Sequence, residues 1–151
     1  MKKTLRLFVL FAVVLSLLLT ASCGNVAEEG TVRIVIDSGE SQTVYEASLS
    51  DIEKKDSALD ILNYFKENRG LALDYVESIY GGYIGSIGGL TPDAQNNEYI
   101  SIYTTEECDF GVAPFDTKLE YRDMTLTASG VGISSMTVRD GTVILFRIES
   151  Y

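Results

Sequence analysis

The hydrophobic pattern changes period several times along the chain. Leu7 to Leu19 is a nearly unbroken apolar run. From Thr31 to Asp37 the pattern becomes that of a half-buried strand, with Val32, Ile34 and Ile36 on one side and Arg33 on the other. Ser38-Gly39-Glu40-Ser41 is turn chemistry, and Gln42 to Ala47 resumes an extended run, so this region reads as a hairpin. Ala58, Ile61, Leu62 and Phe65 then fall at i, i+3, i+4 and i+7, the apolar stripe of a helix. Ser57 or Asp56 supplies its N-cap, Asp60 places negative charge at its N-terminus, and Gly70 stops it. Beyond the helix the period returns to two. Leu71 to Ile79, Tyr83 to Ile87 and Tyr99 to Thr104 read as strands, and Lys118 to Tyr121 with Met124 to Thr127 reads as a hairpin across Arg122-Asp123. After Asp140-Gly141 the last strand alternates Ile144, Phe146 and Ile148 with Leu145, Arg147 and Glu149. Gly85, Gly88 and Gly89 point to a bulge or a close backbone approach. A hairpin, one helix and further strands predict an α+β domain with a β-grasp-like mixed sheet and one packed helix, the first hairpin lying beside the C-terminal strand.

The first apolar run is too short to span a bilayer comfortably. Lys2, Lys3 and Arg6 precede it and Thr20-Ala21-Ser22-Cys23 follows, so residues 1–22 read as a signal peptide. Cys23 after two small residues resembles the lipobox of bacterial lipoproteins, in which that cysteine is acylated and becomes the mature N-terminus; the other reading is an ordinary secretory signal. Residues 23–30 read as a tether and 31–151 as the domain. This organisation implies an extracytoplasmic protein, lipid-anchored to the bacterial cell membrane.

Without residues 1–22 the chain has 9 Lys and Arg against 22 Asp and Glu, a net charge of −13. Such a surface repels nucleic acid and anionic lipid headgroups, so membrane attachment is expected from the acyl anchor alone. Cys108 then has no cysteine partner. The sequence contains no histidine, so it lacks the usual neutral-pH general base and the commonest metal ligand. Ser86, Ser134 and Ser135 have no base to activate them. The Glu106-Glu107-Cys108-Asp109 run mixes hard and soft ligands without calcium-loop spacing and reads as a solvated acidic loop. Neither an enzyme nor a metal site is expected.

The stretch from Tyr80 to Glu107 carries the candidate binding chemistry. Tyr80 and Tyr83 bracket glycines, so a flat ligand could approach the backbone at Gly82 and Gly85 while rings cover it. The rival reading gives the glycines to a turn and bulge, and the tyrosines to the sheet. Tyr99 and Tyr103 flank the next strand and complete the candidate set.

The ββα order, Gly82-Tyr83-Ile84-Gly85-Ser86-Ile87-Gly88, Tyr99-Ile100-Ser101-Ile102-Tyr103-Thr104 and the closing Val138-Arg139-Asp140-Gly141-Thr142-Val143-Ile144 together resemble the transcobalamin C-terminal-like domain of bacterial surface lipoproteins. The likeness covers about residues 31–149. Two positions depart from it: Ile100 stands where the family commonly has Trp, and Thr104-Thr105-Glu106 replaces a frequent Asn-Gly. The resemblance implies a binding module for a small molecule such as cobalamin or another corrinoid, serving an uptake system and its transporter. Without histidine, contact would rest on stacking and hydrogen bonds rather than imidazole coordination of cobalt. The alternative is a surface-displayed module that recognises a protein or polysaccharide through a free strand edge and takes no small-molecule ligand.

Overall fold

The computed structural model describes residues 26–78 and 81–151. The signal segment, Cys23 and Tyr80 lie outside the described residues. The architecture is α+β, with one α-helix and eight strands among the described residues. Strands β1 (Thr31–Asp37) and β2 (Gln42–Ser48) form the expected hairpin in unbroken antiparallel register. Helix α1 (Ala58–Arg69) starts on a reciprocal cap: the Asp60 N–H donates to Ser57 Oγ, and Asp60 Oδ2 accepts the Ser57 N–H at 3.0 Å. It ends on Gly70 at φ 70°, a left-handed conformation that costs glycine nothing.

The remaining strands are β3 (Leu73–Ser78), β4 (Gly81–Ile87), β5 (Glu98–Thr104), β6 (Lys118–Tyr121), β7 (Met124–Ala128) and β8 (Thr142–Ser150). Six of the eight make one sheet in the order β2-β1-β8-β5-β7-β6. Only β1 and β8 run parallel in it; the other neighbours are antiparallel. The first hairpin and the last strand are therefore adjacent, as the sequence pattern implies. Alternation sorts the side chains of this sheet onto two faces. On one face Val32, Ile34, Ile36, Ile144 and Phe146 meet Ala58, Ile61, Leu62 and Phe65 of α1 in the main core. Phe65, Ile61 and Leu62 are fully buried, each contributing about 1.5–3 kcal/mol of transfer free energy. On the other face Val35, Val143, Leu145 and Tyr103 are covered by Tyr121 and Leu126 of the β6–β7 hairpin, a second, smaller core.

The β3–β4 hairpin is a separate two-stranded sheet. Its Leu73, Ile84 and Ile87 join the main core. The two strands that carry the candidate tyrosines differ in their partners: β5 pairs with β8 and β7, whereas β4 pairs with β3. The glycines explain part of the difference. Gly85 is the extra residue at a bulge opposite Asp74 and Tyr75, and Gly88 turns the chain at φ 56° against Ile36. Residues 26–30, read from sequence as part of the tether, lie against the domain. Val26 bridges to Val138, the Ala27 N–H donates to the Val138 carbonyl at 2.8 Å, and Glu28 pairs with Lys55 at 3.1 Å. Among the described residues no helix is long and apolar enough to cross a membrane.

Candidate functional site

The sequence candidates fall in two places. Gly82, Tyr83 and Gly85 lie on β4. The Gly82 N–H donates to Ser134 Oγ at 2.9 Å, and a Cβ at Gly82 would stand 3.2 Å from Ile133 Cγ2, so that position faces inward. Tyr83 consequently projects outward and is 64% exposed. Its cross-strand partner Val76 is equally exposed at 64%. The pair forms an apolar step of one ring and one branched side chain, and the Asp74 carboxylate lies beside it over Gly85, where an added Cβ would stand 3.3 Å from Asp74 Oδ2. Such a surface can stack on a flat ligand.

Tyr99 and Tyr103 belong to β5, in the other sheet, so the structure does not bring them together with Tyr83. Tyr103 is only 1% exposed, and its ring is part of the smaller core. Its hydroxyl donates to Glu149 Oε1 at 2.6 Å. Burial, and then this hydrogen bond to a carboxylate, push the phenol well above the ordinary tyrosine range. Tyr99 is on the rim, its hydroxyl 3.4 Å from Glu149 Oε2 and its ring tilted against Tyr151 with centroids 6.0 Å apart. Ser101 also donates to Glu149 Oε2, at 2.8 Å, and Arg147 lies 3.7 Å from the same carboxylate and 4.0 Å from Asp37. Glu149 thus gathers three hydroxyls and one guanidinium. Sequence reasoning did not single out Glu149, Ser101 or Arg147. The register supplies them, by placing Tyr99 opposite Glu149 and Ser101 opposite Arg147. Their shared parity along β5 and β8 was the available signal, but parity does not say which strands pair.

The acidic run is not the solvated loop read from sequence. Glu106 and Asp109 turn inward, and both are buried. Asp109 accepts the Thr137 N–H at 2.6 Å and its hydroxyl at 3.3 Å. Glu106 pairs with Arg139 at 3.3 Å and accepts the Thr142 hydroxyl. These partners stand in for water, which is how two carboxylates can be buried here. Exposed Cys108 donates to Thr137 Oγ1 at 3.3 Å. No group of three or more Cys, Asp and Glu among the described residues has the arrangement to hold a metal ion.

No protein-family model matches this chain, and no curated protein matches it. Solved structures do. A candidate metal-binding protein from Ruminococcus gnavus ATCC 29149 is similar over 82% of this chain and 99% of its own, with a TM-score of 0.52 and 15% identity. Haptocorrin in complex with Cbi is similar over 81% of this chain, with a TM-score of 0.52 and 18% identity. That match spans 25% of the haptocorrin chain. Haptocorrin belongs to the transcobalamin family, so the resemblance read from the glycine and tyrosine motifs has a counterpart in the fold.

Proposed function

We propose that this chain is a non-enzymatic, extracytoplasmic binding module, anchored by a lipid on Cys23, that holds a flat small molecule of the corrinoid class for an uptake system. The observation that carries this reading is the exposed Tyr83–Val76 step, on a fold similar to that of haptocorrin in complex with Cbi. The parallel β1–β8 pair backed by α1 supports a β-grasp assignment for the domain. A ring of tyrosine stacked on a planar ligand contributes about 0.5–1.5 kcal/mol beyond the area it buries.

Calorimetry of residues 24–151 with cobalamin, cobinamide and haem tests this reading. Saturable heat with one of them is expected, and Tyr83→Ala should weaken it by about tenfold, about 1.4 kcal/mol. Absence of heat at high micromolar ligand would remove the small-molecule reading. Unchanged affinity in Tyr83→Ala would move the site elsewhere.

The alternative, a surface-displayed module that recognises another macromolecule, is favoured by β2. It is an edge strand of seven residues in regular register, without lysine, proline or a bulge along it. Edges of that kind accept an added strand.

A further inference from the structure

Among the described residues the main sheet ends on β2 at one side and β6 at the other. The two edges are built differently. β6 is four residues long and begins with Lys118, two devices that keep an edge from pairing with another chain. β2 is seven residues long, in unbroken register with β1, and holds neither lysine nor proline. Its one charged side chain is Glu46, whose Oε2 is already held by Arg33, through Nε at 3.0 Å and Nη2 at 2.6 Å. Outside residues 1–22 the chain carries 22 Asp and Glu against 9 Lys and Arg, so this edge is a neutral stripe on an acidic molecule.

The hydrogen bonds at the two ends of the hairpin fix which backbone groups the edge leaves open. The Ser38 N–H donates to the Ser41 carbonyl at 3.0 Å, and the Leu49 N–H donates to the Gly30 carbonyl at 2.8 Å. Antiparallel ladders alternate, so the bonded pairs between these two are Ile36–Thr43, Ile34–Tyr45 and Val32–Ala47. The N–H and C=O of Gln42, Val44, Glu46 and Ser48 then point away from β1, to the side where the sheet has no further strand.

We propose that this edge pairs with the β2 edge of a second copy of the chain, antiparallel about a two-fold axis at Tyr45, joining two sheets into one. That register sets Gln42 against Ser48, and Val44 against Glu46, of the other copy as bonded pairs, so every outward group on both strands finds a partner. Thr43 meets Ala47, and the two Tyr45 rings meet at the axis, each already resting on its own Phe65 with centroids 5.7 Å apart. Centring on Val44 carries Ser48 past the end of the other strand, and centring on Glu46 sets two carboxylates face to face, which is destabilising. A two-fold contact has to be self-complementary, and β2 is so about Tyr45. A neutral edge is also where two acidic molecules repel each other least. The pairing rests on the open edge that favours the second reading above, and it names the partner as another copy rather than a foreign strand.

Amide hydrogen exchange of the full chain in detergent, followed by NMR at rising protein concentration, is the test. The Val44 and Glu46 amides should slow by about tenfold or more as the concentration enters the high micromolar range, while Thr43 and Tyr45, already bonded to β1, keep their rates. Val44→Pro removes an outward donor and leaves the β1 ladder intact. It should weaken association by about tenfold, with Thr43 and Tyr45 still protected. In a Cys108→Ser background, Tyr45→Cys should be trapped as a disulfide-linked dimer under mild oxidation. Val44→Cys, which faces Glu46 of the other copy, should not. Val44 and Glu46 amides that exchange fast at every concentration would overturn the pairing and leave the edge open to a foreign strand, so the second reading would survive. Equal trapping of the two cysteine variants, or association unchanged in Val44→Pro, would place the contact elsewhere and overturn it as well.

Discussion

The carboxylate of Asp109 accepts the backbone N–H of Thr137 across a separation of 28 residues, at 2.6 Å. Both residues are buried at 1% exposure. The bond ties the turn after β5 to the approach of β8, and the Asp109 carbonyl adds a second tie by accepting the Gly130 N–H at 2.8 Å. Asp109→Ala removes the carboxylate that accepts the Thr137 N–H in the interior. The expected loss is about 1–3 kcal/mol, read as a lower urea midpoint with an unchanged slope. Asp109→Asn keeps an acceptor and should lose less. Equal losses in the two variants would mean that the bond to Thr137 is not what Asp109 contributes.

A second prediction separates two ways in which a glycine can be required. Gly39 and Gly88 both have positive φ, 81° and 56°. A Cβ at Gly39 would meet nothing within 4 Å, whereas one at Gly88 would stand 2.8 Å from Ile36 Cγ1 in the core. Gly39→Ala should therefore cost only the backbone term, about 1–2 kcal/mol. Gly88→Ala adds displacement of a packed isoleucine, about 1–3 kcal/mol more. Thermal melts of the two variants side by side give the comparison.

The contrast between those glycines also shows what could be read from residues alone. The helix was legible because its signals agree: the stripe Ala58, Ile61, Leu62 and Phe65, the Ser57–Asp60 cap and Gly70 all mark the same segment. Strand positions were legible from alternation, and the β6–β7 turn from Arg122-Asp123, where Arg122 takes φ 55°. Pairing was not legible. Nothing local to Tyr83-Ile84-Gly85 says that this strand leaves the large sheet, because pairing is fixed by long-range contacts such as Gly88 against Ile36. Burial of Glu106 and Asp109 was hidden for the same reason: the groups that satisfy them, Arg139, Thr142 and Thr137, come from about 30 residues further along the chain. Of the candidate tyrosines, Tyr83 is exposed and Tyr103 enclosed, though both lie in strands rich in isoleucine. Only the facing partner, Val76 in one case and the Tyr121–Leu126 cover in the other, separates them.

Tyr103 gives a prediction at high pH. Burial and the Glu149 carboxylate raise its phenol above the unfolded value of about 10. Above pH ~10 the unfolded chain releases this proton while the folded chain keeps it. The folded state then binds more protons, so stability declines with rising pH. The contribution is complete below pH ~10 and is lost as the pH climbs toward the folded value. Urea midpoints between pH 9 and 11 should fall for the wild type, and Tyr103→Phe should flatten that decline by up to one proton. At pH 7 the same variant should cost about 1 kcal/mol through the lost hydrogen bond. An alkaline limb unchanged by Tyr103→Phe would show that another group controls it.

Asp60 gives the opposite limb. Burial alone would raise its pKa, but the hydrogen bond from Lys54, those from Ser57 and the lysine charge together outweigh burial and hold it below the ordinary aspartate value. An unfolded aspartate titrates near pH ~3.9. Below that value the unfolded chain takes up the proton first, so acid favours unfolding. The stabilisation is fully present above pH ~4 and is lost as the pH falls through the folded value. Asp60→Asn should therefore lower stability at pH 7 and make the acid limb shallower by up to one proton. Ser57→Ala removes the acceptor for the Asp60 N–H and should cost about 1 kcal/mol at neutral pH. It also removes one of the bonds that keep the carboxylate ionised, so its acid limb should begin at a higher pH than that of the wild type. Urea midpoints from pH 2 to 7 for the three proteins decide the matter: parallel acid limbs would mean that the cap at the start of α1 is structural only, and that its charge does not govern how the domain responds to acid.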